Sequence, residues 1–116
     1  MPNEIDELNV VQDAELLYES IRAMKQISAE VATPSTMRAM LGHLSVAGHL
    51  LPEVLVEFGE TLATAAASGE HPELAAENVA ECQRFLDQAA DLAYQAGSAL
   101  ASAKRSLEPQ PTPEDD

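Results

Sequence analysis

The chain has 116 residues, with 20 acidic side chains against 6 basic ones and a net charge of −14. That length is one domain's worth and can bury a core without staples. The charge repels nucleic acid backbone and anionic lipid, which excludes direct nucleic acid binding and leaves basic proteins as the partners it would steer. A single cysteine excludes an internal disulfide, and two Tyr, two Phe and no Trp cannot build a stacking platform for bases.

Residues 1–12 read as an N-terminal arm or short helix. Ile5, Leu8 and Val11 share helical spacing and Asn3 offers a cap, but Asn9-Val10-Val11 suits an extended chain equally well. Glu4, Asp6 and Glu7 stand where a signal peptide needs a basic and then an apolar region, so a cytoplasmic protein is expected. The domain proper is expected over residues 13–107. Its first helix should run from Asp13, a plausible N-cap, to Val31, with Leu17, Ile21, Met24, Ser28 and Val31 on one seam. Thr33-Pro34 should end it, because a residue before proline avoids the helical region.

The second helix should begin at once, with Thr33 as N-cap and Pro34 at N1, and run to about Ala67. An apolar or small residue recurs at alternating spacings of four and three: Met37, Leu41, Leu44, Gly48, Leu51, Leu55, Phe58, Leu62, Ala65. Such spacing marks a helix that packs lengthwise on another. Pro52 should kink it, since an interior proline removes a backbone bond and clashes with the preceding turn at roughly 3 kcal/mol. Gly42 and Gly48 either admit a close neighbour or soften that bend. The run Leu44 to Leu55 is too short to span a bilayer, so no membrane is expected.

Ser68-Gly69 supplies a helix stop and Pro72 a new N1, so the third helix should run from Pro72 to about Leu107. Its series is Ala75, Val79, Cys82, Leu86, Ala89, Ala93, Ala96, Leu100, Ala103, Leu107. Residues 108–116, proline-rich and acidic, read as a disordered tail. Short joints force neighbouring helices antiparallel. The fold class is therefore all-α: an antiparallel up-down-up three-helix bundle with a long helical hairpin, helix two kinked at Pro52.

Helix two carries a second apolar stripe, Val46, Leu50 and Val54, with Val56 pointing a third way. One of its faces should take helix one. Surface left over should bind a partner, with Val46, Leu50, Val54, Val56, His43 and His49 as the candidate contact residues. Several alanines near the hairpin turn favour close helix approach over a ligand pocket.

Other chemistry finds little footing. His49, Glu53 and Glu57 are spaced four apart, but no Glu-x-x-His pair occurs and this stripe should face water, so no metal or cofactor is expected. Cys82 lies on the seam with no partner base and reads as an inert thiol. There is no phosphate loop and no Ser/His/Asp arrangement. The residues name no catalytic group, and the expectation is a non-enzymatic protein–protein interaction module, a homodimer or an accessory subunit of a larger assembly. An acidic nucleic-acid mimic that occupies a basic DNA-binding protein is the first alternative, with carboxylates between Glu53 and Asp91 in place of phosphates.

Residues Thr33 to Leu55, TPSTMRAMLGHLSVAGHLLPEVL, resemble stretches of small, uncharacterised alanine-rich helical proteins of high-GC actinobacteria, a resemblance to which no activity attaches. In size and hairpin shape the chain also resembles the WXG family of type VII secretion substrates, which implies a secreted helical hairpin. That family carries Trp-x-Gly at the turn, where this chain reads Ser68-Gly69-Glu70-His71. Its export signal places Asp or Glu four residues after a Tyr, where Tyr94 is followed by Ser98.

Overall fold

The computed structural model describes residues 2–27 and 30–109, with side chains from residue 9 onward. Three helices occur in the order α1 (Pro2–Met24), α2 (Pro34–Ser68) and α3 (Ala76–Ser106), and the described residues contain no strand. Met1–Thr33 and Pro34–Asp116 are separate compact units. The tail expected over 108–116 lies almost wholly outside the described residues.

In the first unit, α1 starts earlier and stops earlier than the spacing predicts. Residues 2–12 continue the helix rather than forming an arm, and the last helical residue is Met24 rather than Val31. At that end the backbone tightens. Gln26 N–H donates to Ala23 O and Ile27 N–H to Met24 O, bonds that span three residues and not four. Ile27, Ser28, Val31 and Thr33 are all poorer helix formers than the residues before them, so nothing local sustains the last two expected turns. The apolar residues of α1 (Val10, Leu17 and Ile21 among them) are exposed.

In the second unit, α2 and α3 pack against each other along their length. α2 begins at Pro34 and is helical throughout, with Pro52 inside it. Its end is built by Ser68 and Gly69. Ser68 Oγ donates to Ala65 O at 2.7 Å and accepts from Glu70 N–H at 3.2 Å. Gly69 turns the chain at φ 77°, in the left-handed region that side chains resist.

α3 starts four residues after the proline expected to open it. Pro72 instead occupies the second position of a turn closed by Leu74 N–H donating to His71 O at 2.9 Å, a position its fixed φ suits. The N-cap is Ala75, extended at ψ 136°, whose carbonyl accepts from Val79 N–H. At the far end Arg38 Nη1, in the first turns of α2, donates to Leu107 O at 2.9 Å and satisfies a carbonyl that α3 leaves open. That bond ties the start of one helix to the end of the other.

The contact line between α2 and α3 keeps the four-and-three spacing but is rotated from the expected series. On α2 the most covered residues are Leu41, Ser45, Gly48, Pro52, Leu55, Gly59 and Leu62; on α3 they are Val79, Gln83, Leu86, Ala90, Ala93, Gly97 and Leu100. Half of each expected series survives. The other half is replaced by the next residue along: Ser45 for Leu44, Gly59 for Phe58, Ala90 for Ala89, Gly97 for Ala96. The small residue wins in each of those pairs because it lets the axes close up. The core is correspondingly thin. Val79 and Ala90, each 6% exposed, are the buried apolar side chains of the described residues.

Candidate interaction face on the helical hairpin

Rotating the contact line inward onto Ser and Gly turns the large side chains outward. Leu51, Val54 and Phe58 of α2 and Phe85 and Leu92 of α3 are exposed, Phe58 at 48%, Phe85 at 53% and Leu92 at 58%. Phe58, Leu62, Cys82 and Leu86 line one open groove of about 580 Å³, with Glu57 and Thr61 at its rim. This puts Phe58 and Cys82 on the same side of the hairpin. Helical repeat extends that side along both rods, because residues three, four and seven apart share a face. Leu44, Leu51 and Phe58 are seven apart on α2. Cys82, Ala89 and Ala96 are seven apart on α3, beside Phe85 and Leu92. The result is one continuous apolar face, two helices wide, whose own positions hold no charged residue. Arg84 reaches over one ring of it, with its guanidinium carbon 4.8 Å from the centre of Phe85.

The opposite side is polar. His49 is half-buried against α3, where its Nε2 shares a 3.2 Å hydrogen bond with Ser98 Oγ and its ring centre lies 4.9 Å from that of Tyr94. The expectation that His49 faces water with Glu53 and Glu57 is corrected here: close approach of Gly48 to Gly97 pulls the next residue of α2 against α3. Between the two sides, Ser45 is buried, and its Oγ donates to Gly97 O at 2.8 Å.

The six candidate contact residues do not gather in one place. Val54 joins the apolar face, three residues from Leu51 and four from Phe58. Val46 and Leu50 are exposed, on the part of α2 turned away from α3. Val56 is exposed on the His49 side, His43 is exposed, and His49 is already engaged by Tyr94 and Ser98. The sequence reading missed Phe85 and Leu92 as surface residues. Their signal was present: both lie off the rotated α3 contact line, on the Cys82 side.

Among the described residues no group of three or more His, Cys, Asp or Glu stands together as a metal site. Cys82 is half-buried in the apolar groove and unpaired with another cysteine. A second groove, about 530 Å³, lies over Glu57, Glu60, Thr64, Ser68, Glu70 and His71, and is as open as the first. α2 is long and apolar enough to cross a membrane by length and composition, with a mean hydropathy of 1.3 over its best 18 residues. Compared with known proteins, the chain matches no family model, no curated protein and no solved structure.

Proposed function

We propose that this protein is a non-enzymatic helical interaction module, which works by covering the apolar face of its α2–α3 hairpin with a helical partner. One observation carries the reading: Leu51, Val54, Phe58, Phe85 and Leu92 lie together on one side of a two-helix layer and are all exposed. Five such side chains present about 400–500 Å² of apolar surface, at 150–250 Å² for each whole aromatic ring and less for Leu and Val. Patches of that size on soluble proteins mark contact sites. Returning them to cover contributes on the order of 10 kcal/mol gross, before the cost of association.

The finer architecture belongs to the same proposal. α1, with its uncovered apolar stripe Val10, Leu17, Ile21, is the third member of an up-down-up bundle and lies against Val46 and Leu50 of α2, which bends at Pro52. A soluble, cytoplasmic setting suits the hairpin better than a membrane. The apolar stretch of α2 holds His43, His49 and Glu53, and the adjoining α3 carries Arg84, Asp87 and Asp91, charges that lipid penalises heavily.

A capture experiment from the source cells tests the module reading. Full-length wild type is compared with Leu92→Glu on the apolar face and with Leu50→Asp on the back of α2. Companions recovered with wild type and lost with Leu92→Glu are the expected result. An unchanged set of companions in both variants would sink the reading.

A further inference from the structure

We propose that the occupant of the hairpin's apolar face is a second copy of this chain, so that two hairpins stack face to face into a four-helix core. This rests on the reading of that face as an interaction surface, and two observations select the partner. The first is charge. A chain with 20 acidic and 6 basic side chains repels its own copies, and they can approach only where the surface holds no charge. Leu44, Leu51, Phe58, Cys82, Phe85 and Leu92 mark such a surface, whereas a basic partner would be drawn to the carboxylates and away from it.

The second is area. Leu44 to Phe58 spans about 21 Å at 1.5 Å per residue, and two helices side by side are about 20 Å across. That footprint is about 400 Å² per copy. Accessible area over ridged side chains exceeds its flat projection, so pairing two copies removes roughly 1,200 Å² in total, which reaches the size of a specific interface. Closed two-fold pairing also uses the same face on both copies, so no apolar surface is left to extend the assembly.

Cys82 is the chain's one cysteine and lies on this face, so thiol labelling reports directly on whether the face is covered. The experiment uses the full chain. Sedimentation and the rate of labelling by a thiol-reactive dye are followed from roughly 1 to 100 µM protein, since pairing follows mass action. The expected result is a dimer at the upper end, with labelling slowed by roughly tenfold or more across the range. Leu92→Glu should then be monomeric, with unchanged helical circular dichroism and fast labelling throughout. If the variant does not fold, the wild-type labelling series decides alone.

A wild-type monomer that labels fast at every concentration overturns self-pairing while the interaction reading survives with another partner. A monomer whose thiol is protected at every concentration means that the chain covers its own face, and overturns both. A dimer that labels fast and ignores Leu92→Glu pairs through a different surface, and also overturns the proposal.

Discussion

Gly48 of α2 and Gly97 of α3 meet backbone to backbone: a methyl group built on Gly48 would lie 2.8 Å from the Gly97 Cα and 3.1 Å from the Ala93 carbonyl oxygen. The reverse substitution is as crowded, with 2.8 Å to His49 Cδ2 and 2.9 Å to the Ser45 carbonyl oxygen. Neither contact can be relieved by swinging a flexible side chain, because backbone stands on the other side. Alanine normally improves a helix by up to about 1 kcal/mol over glycine, while overpacking costs about 1–3 kcal/mol. Gly48→Ala and Gly97→Ala should therefore each lower stability by about 1–2 kcal/mol net, read by denaturant unfolding followed through helical circular dichroism. Gly42→Ala is the contrast. Its methyl would meet only the mobile end of Lys104, at 3.4 Å, so the helix gain should survive and stability should rise by a few tenths to about 1 kcal/mol. If all three shift stability in the same direction, the close crossing at Gly48 is misplaced.

Ser45 fastens that crossing with a buried hydroxyl that donates to the Gly97 carbonyl at 2.8 Å. Ser45→Ala removes the hydrogen bond and adds no bulk, so it should cost about 0.5–1.5 kcal/mol. Ser45→Val keeps the site apolar but must push α3 away, and should cost more than the alanine change. The order of the two variants in unfolding free energy checks the assignment.

Gly69 has open space around the position where a side chain would stand, yet its φ of 77° is one that side chains resist. Gly69→Ala should cost about 1 kcal/mol through backbone strain alone. Asn, which tolerates this region best among residues with side chains, should recover part of the loss. Equal stability of the Ala variant and wild type would mean that the chain leaves α2 by another path.

Arg38 reaches from the first turns of α2 to the last carbonyls of α3, and the contact is on the surface. Arg38→Ala should lower overall stability by about 1 kcal/mol or less. Its clearer mark should be local: faster amide hydrogen exchange in the last turn of α3, around Arg105 to Leu107, with the middle of the hairpin unchanged.

The two long helices of the hairpin were legible because four-and-three spacing, Pro34 at the start of α2 and Ser68-Gly69 at its end are local statements about a helix. Which residues form the contact line was not. Leu41, Gly48, Leu55 and Leu62 belong both to the expected series and to the observed one. Hydrophobicity alone favours completing the series with Leu44, Leu51 and Phe58. The pairing of Gly48 with Gly97 needs both helices at once, and it brings Ser45 and Gly59 inward in their place. The same rotation moved His49 from an expected water-facing stripe to a place against Tyr94.

The amino-acid sequence by itself determined that this chain is helical, where α2 begins and ends, and that its surface is strongly acidic, because propensity, capping and charge act over a few residues. Tertiary structure alone decided how far each rod turns about its own axis. Backbones close up where small residues from distant parts of the chain coincide, and that choice sends Phe58, Phe85 and Leu92 to the outside.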